Sequence, residues 1–153
     1  VDVDGHKPVR ESDQFGHGSA PKVVEWKGWR LGLSVCYDLR FPELYLAYAK
    51  AGVDAVLVPS AFLVPTGQAH WHVLLRARAI ESQCYVLAAA QGGEHANTSS
   101  VRKTFGHSLA IDPWGEVLTE KVDAKPGLIH CELEKSRLSQ VRTQIPMENH
   151  RRL

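Results

Sequence analysis

Long apolar runs are missing from this 153-residue chain: none could span a bilayer, and no charged leader with an apolar centre opens it. No membrane partner is expected. Charge of one sign is missing as well, because 18 Lys and Arg against 17 Asp and Glu leave a formal net charge of +1, so nothing points to nucleic acid. Cysteine is scarce. Cys36, Cys84 and Cys131 are widely spaced and odd in number, which argues against a disulfide framework and predicts free thiols in a reducing compartment, the cytoplasm. Cys84 and Cys131 lie in apolar runs and are expected to be inert. HExxH, paired CxxC and P-loop patterns are all absent. His70 and His72, two apart, would point in different directions from a helix, so no metal site is expected from them. No internal repeat, low-complexity tract or convincing linker divides the chain.

What is present is concentrated between Arg30 and Glu43, where an apolar strand ends on Cys36 and a cluster of charged and aromatic residues follows at once. Leu31, Leu33 and Val35 alternate with smaller residues, while Phe41-Pro42-Glu43 opens a helical pattern with proline suited to a first turn. A cysteine at such a junction meets free backbone N–H groups, which favour both a thiolate and an oxyanion. It would equally serve as a small buried hydrophobe. Asp38, Arg40 and Glu43, crowded within one turn of it, point to the nucleophile, although a helix-cap ion-pair network would use the same residues.

The order of elements predicts an α/β fold. Lys22 to Trp26 and Arg30 to Cys36 read as strands joined at Lys27-Gly28-Trp29. A helix from Pro42 to Ala51 follows, with Leu44, Ala47, Tyr48 and Ala51 on one stripe and Gly52 ending it. Val53 to Pro59 reads as a strand, Gln68 to Gln83 as a helix with Val73, Ala77 and Ile80 inward, and Cys84 to Ala90 as another strand. Such alternation predicts a parallel sheet whose carboxyl edge gathers Cys36, Pro59-Ser60-Ala61-Phe62 and Gln91. Gly92 to Lys103 reads as a polar loop over that edge, His107 to Lys121 as two strands turned at Asp112-Pro-Trp-Gly115, Leu128 to Leu133 as a last strand, and Lys135 to Thr143 as a helix. Val1 to Ala20 is polar and holds no element able to form half of a sandwich. The whole of 1–153 is therefore expected to be the carboxy-terminal portion of a longer fold, and the piece alone is expected to associate or aggregate through exposed strand edges.

Gly32-Leu-Ser-Val-Cys36-Tyr-Asp-Leu-Arg-Phe-Pro-Glu43, Pro59-Ser-Ala-Phe62, Thr66-Gly-Gln-Ala-His70-Trp71, Leu75-Arg-Ala-Arg78-Ala-Ile-Glu81, Gly106-His-Ser108, Asp112-Pro-Trp-Gly115 and Gln144-Ile-Pro146 occur in that order. Taken together they resemble the nitrilase superfamily of carbon–nitrogen hydrolases, and within it the Nit-type branch acting on deaminated glutathione and related omega-amides. The resemblance covers nearly the whole chain. It implies an αββα sandwich, no metal or organic cofactor, a small-molecule amide substrate and a homo-oligomer in the complete protein. It also implies Cys36 as nucleophile, the Tyr37 N–H as an oxyanion donor and Glu11 as a supporting carboxylate. The family's catalytic lysine would fall just before Val1 and its general-base Glu further upstream; neither Lys7 nor Lys22 has the matching context. An N-carbamoyl amide hydrolase of the same superfamily, or a non-catalytic α/β module used for binding or assembly, would share much of this pattern.

Two pairs of readings stay open at this level. Asp38 and Arg40 either anchor the nucleophile turn or contact substrate, with Glu43 as further support. Phe62, Thr66, His70 and Trp71 either form part of the substrate pocket or make a helix-start cap with a packed aromatic. Arg78 and Glu81, one helical turn apart, are expected to be a structural pair bridging layers.

Overall fold

The computed structural model of the protein describes residues 11–96 and 101–152. Its centre is a six-stranded sheet in the order β1-β2-β3-β4-β7-β8, built from β1 (Lys22–Trp26), β2 (Trp29–Leu33), β3 (Ala55–Leu57), β4 (Tyr85–Ala88), β7 (Ser108–Ile111) and β8 (Val117–Lys121). The β1–β2 hairpin forms as the sequence predicts, with Lys27 and Gly28 both at positive φ in the turn. β2, β3 and β4 run parallel, and β7 and β8 continue the sheet antiparallel.

The crossovers are α1 (Pro42–Lys50) and α2 (Val64–Ser82), which pack on each other and on one face of the sheet. Between them lies the core: Tyr45, Tyr48, Val56, Val58, Trp71, Leu75, Val86, Leu109 and Ile111 are essentially inaccessible. The stripe that α2 buries is Trp71, Leu75, Arg78, Ala79 and Ser82. Val73 and Ile80, expected inward, are 61% and 45% exposed. The helix also begins four residues before the expected Gln68, because Pro65 is admissible in a first turn that needs no N–H donors. Gly67 has a steric reason: a Cβ there would lie 2.3 Å from the Cβ of Phe105. Gly67→Ala is accordingly expected to destabilise the protein by about 1–3 kcal/mol, the usual cost of overpacking, read from denaturant unfolding. A loss below about 0.5 kcal/mol would mean that the contact between α2 and Phe105 is loose.

Among the described residues, the other face of the sheet is covered at one end only. There α3 (Lys135–Gln144) sets Leu138 against Ala55 and Tyr85, with Trp29, Leu31 and Leu133 around them. Towards the carboxyl edge of the same face, Leu33 is 39% exposed and Leu57 and Leu87 are half-buried. One α/β layer of the expected sandwich is thus formed by the described residues.

Two expectations are corrected. The loop expected over Gly92 to Lys103 contains the hairpin of β5 (Gly92–Ala96) and β6 (Val101–Phe105). Its sequence is poor in β-formers, but Glu94 pairs across the strands with Lys103, and Phe105 N–H donates to the Phe62 carbonyl at 2.9 Å. The last strand expected at Leu128 to Leu133 does not form: Leu128 is 84% exposed, and the segment makes no ladder with any described strand. A short helix, α4 (Met147–His150), follows α3. Among the described residues no helix is long and apolar enough to cross a membrane.

Candidate active site

Three strands deliver their carboxyl ends to one place. Cys36 N–H donates to the Pro59 carbonyl at 2.9 Å, Ser60 N–H to the Ala89 carbonyl at 2.9 Å, and Gln91 N–H back to the Ser60 carbonyl at 2.9 Å. The edge expected from the alternation of elements therefore exists. Ser34 stiffens it from below, its hydroxyl within 3.0 Å of the Tyr45 hydroxyl and donating to the Leu57 carbonyl at 3.0 Å. Burial holds the Tyr45 phenol far above its ordinary pKa, so it stays a neutral hydrogen-bonding group.

Cys36 opens a 3-10 turn, Cys36–Arg40, and has φ +46, a left-handed conformation that few side chains adopt. The turn is pinned by Asp38, whose carboxylate accepts Val35 N–H at 2.9 Å while its own N–H donates to the Val35 carbonyl at 3.0 Å. This loop of two bonds brackets Cys36 and Tyr37. Strain at a residue so tightly held marks a site whose geometry is fixed for use. The Tyr37 N–H, next along the turn, has no acceptor among the described residues and remains available to a ligand.

Leu39, fully buried, ties the turn to α2. Its carbonyl accepts two bonds from Arg78, from Nε at 3.0 Å and Nη2 at 2.8 Å, while Nη1 of the same guanidinium donates to Glu81 at 2.7 Å. The pair itself lies within α2, while the guanidinium joins α2 to the Cys36 turn and lies over the Tyr45 ring. Arg40 lies over the rings of Tyr37 and Phe62 and donates to His70 Nδ1 at 3.2 Å. Because arginine has no acceptor, that bond fixes the neutral His70 proton on Nε2. Glu43 is exposed in the first turn of α1, where its charge complements the helix dipole.

Of the two readings left open for the start of α2, packing holds for the aromatics. Trp71 is 1% exposed, tilted against Phe62 at 4.9 Å, and spends its indole N–H on the His107 carbonyl at 2.8 Å. Thr66 donates to the Leu63 carbonyl at 3.1 Å, a bond within the first turn. Thr66 and His70 keep partial exposure; Phe62 and Trp71 stand behind them. Glu11 begins a 3-10 turn, Glu11–Asp13, and its side chain lies outside the described residues, as does the stretch from Val1 to Arg10.

The three cysteines differ sharply. Cys84 is buried, and burial pushes its thiol up to about 12, which makes it inert as expected. Cys131 is exposed rather than held in an apolar strand, because the strand assigned to it does not form. Cys36 alone sits at the gathered edge.

Sequence reasoning missed two features of this edge. Ser108 closes the end of β4, its hydroxyl accepting Ala90 N–H at 2.8 Å and donating to the Ala90 carbonyl at 3.2 Å. His107, at φ +61, sits between β6 and β7. Their only signal was the Gly106-His-Ser motif, which by itself assigns no chemistry.

Comparison with known proteins follows the same lines. The carbon-nitrogen hydrolase family profile matches residues 2–143. The deaminated glutathione amidase of Rattus norvegicus is 47% identical over 99% of this chain, which corresponds to 46% of that protein. The chain thus spans about half the length of the curated relatives it matches. Nit3 of Saccharomyces cerevisiae superposes with a TM-score of 0.83 at 34% identity, over 94% of this chain and 51% of Nit3. An amidase from Nesterenkonia sp. AN1, with acrylamide added to its active-site cysteine, superposes with a TM-score of 0.70 at 30% identity, over 95% of this chain and 55% of that one.

Proposed function

The chain belongs to the carbon-nitrogen hydrolase family, and we propose that it carries the nucleophile of an amidase that converts a small omega-amide of the deaminated-glutathione type to a carboxylate and ammonia. The observation that carries this reading is Cys36 itself: a strained cysteine at a strand-to-turn junction, pinned by Asp38 and followed by a Tyr37 N–H with no acceptor among the described residues.

In this reading a carboxylate base takes the Cys36 proton and Sγ attacks the amide carbonyl carbon. The oxyanion accepts hydrogen bonds from Tyr37 N–H and a lysine. The base returns the proton to the nitrogen, ammonia leaves, and a thioester remains on Sγ. A water deprotonated by the same base then releases the carboxylate and restores the thiol. Glu11 supports the base, Asp38 and Arg40 hold the turn, and Thr66 and His70 border the substrate with Phe62 and Trp71 behind them.

The chain spans about half the length of its relatives, and this reading assigns the base and the lysine to the other half, with these 153 residues as one α/β layer of an αββα sandwich. Three of the chain's lysines are already engaged, Lys103 with Glu94, Lys121 with Asp123 and Lys135 with Asp54. Losing one oxyanion donor typically costs about 10²–10³ in rate and losing the base about 10²–10⁴, so the 153 residues alone are expected to be nearly inactive. The test is ammonia release from deaminated glutathione and from an N-carbamoyl amino acid, with quenched samples digested for an acyl adduct on the Cys36 peptide. With a family amino-terminal half supplied, activity is expected to rise and an omega-amide acyl group to appear on Cys36. An adduct formed only from the N-carbamoyl compound would move the substrate class, and no adduct from either would sink the reading.

A further inference from the structure

Beside α2, three side chains from separate elements converge. His72, from α2, brings Nε2 to 2.7 Å from Glu120 Oε1; His107, from the β6–β7 junction, brings Nδ1 to 2.6 Å from the same oxygen. The three potential ligand atoms lie within 4.8 Å of one another. His70, two residues before His72, turns instead to Arg40, and the cluster is made by residues distant in sequence.

Each of the three is held by something besides its partners. His107 is stacked on Phe105 at 4.1 Å and 18°, its carbonyl bound by the buried Trp71 indole. His72 stands edge-on to the rings of Phe105, at 6.0 Å, and His107, at 5.4 Å. Glu120 lies in the β8 ladder opposite Leu109. The side chains are 24–37% exposed, which leaves one side of the cluster open to water and to an entering ion.

A structural ion pair needs one imidazole against one carboxylate. Here two imidazoles from different elements aim at a single oxygen, and their edge-on rings place two nitrogens and one oxygen around a common point. We infer that His72, His107 and Glu120 bind a divalent transition-metal ion of the zinc class, with a water as the fourth ligand. Zn–N and Zn–O distances of about 2.0–2.1 Å require ligand atoms roughly 3.3 Å apart in a tetrahedron. The carboxylate oxygen therefore withdraws by about 0.6 Å from each nitrogen, within reach of side-chain torsions. Each imidazole binds as the neutral ring, its N–H proton moving through solvent to the other nitrogen. The ion would tie α2, the β6–β7 junction and β8 together, and the proposal does not depend on the amidase reading.

The test is titration of the purified protein with Co²⁺, followed by visible absorption, and with Zn²⁺, followed by calorimetry and thermal unfolding. Expected are one equivalent bound, a four-coordinate cobalt spectrum without a sulfur charge-transfer band, and a higher unfolding temperature with zinc. His72→Ala and Glu120→Gln should each weaken binding by about a hundredfold or more, while His130→Ala leaves it unchanged. Metal-free unfolding of His72→Ala, a partly exposed position, reports whether that variant folds, and His72→Gln substitutes if it does not. Absence of saturable one-site binding, binding undiminished in both ligand variants, or a cobalt–thiolate band would overturn the proposal.

Discussion

With a family amino-terminal half supplied, Cys36→Ala is expected to abolish ammonia release from an omega-amide, on the order of 10⁶-fold by analogy with nucleophile deletions in other acyl-transfer enzymes. Alanine is the informative substitution because it keeps the Cβ. The left-handed φ of +46 is equally strained with either residue, so the change removes the sulfur and leaves the backbone problem as it was. Val35, Asp38 and Pro59 still hold the turn through backbone and carboxylate bonds that do not involve Sγ. The fold should therefore survive and the chemistry should not. Neither remaining thiol can substitute. Cys84 is buried with its thiol raised to about 12, and Cys131 lies in the exposed segment after β8. The checks are steady-state ammonia release, unfolding temperature and alkylation mapping, in which substrate should protect Cys36 and leave Cys131 labelled. Turnover of Cys36→Ala within tenfold of the unmodified protein, both supplied with that amino-terminal half, would remove Cys36 from the mechanism.

How much of this was legible beforehand follows from where the determining contacts lie. The β1–β2 hairpin, the helix opened by Pro42 and the shared edge of three strands depend on local turn chemistry and on periodicity, and both are written into short windows. The inward stripe of α2 was misread through Val73 and Ile80, because its buried positions include Arg78 and Ser82, which no hydrophobic pattern marks. Their burial is possible only because the Leu39 and Tyr45 carbonyls arrive from other elements to accept their bonds. The β5–β6 hairpin was missed for a related reason. Its strands are polar, and its register is set by Glu94–Lys103 and by the Leu63–Thr104 bridge to the start of α2. Leu128 to Leu133 failed in the opposite sense: an apolar run suited to a strand finds no described strand to pair with. Cys36 was legible as a candidate from its junction and its neighbours. The Asp38 clasp, between residues three apart, was one of two open readings; the His72–His107–Glu120 cluster was not legible, since it is made by tertiary contact.

Arg78 is where that tertiary dependence should be most costly to break. The residue is 5% exposed, and its guanidinium gives two bonds to one carbonyl and a third to Glu81 and lies over the Tyr45 ring. Arg78→Met keeps much of the apolar volume and removes every donor. The Leu39 carbonyl is then buried with no partner, a cost of about 1–3 kcal/mol, and Glu81 loses its counter-charge; breaking a buried pair by removing one member usually costs about 3–5 kcal/mol in total. Because Glu81 is itself a third exposed, the lower end applies, about 3 kcal/mol, or roughly 6–12 °C in unfolding temperature for a chain of this size. Arg78→Lys should recover little, because an ammonium cannot reach the carbonyl and the carboxylate with a rigid fork. Leu39 belongs to the turn that carries Cys36, so the stability loss should be accompanied by a fall in turnover measured well below the unfolding transition. Loss of stability with turnover intact would mean that Asp38 alone holds the nucleophile turn. A loss of both, with Arg78→Lys as impaired as Arg78→Met, would place the support of Cys36 in the buried guanidinium one layer beneath it.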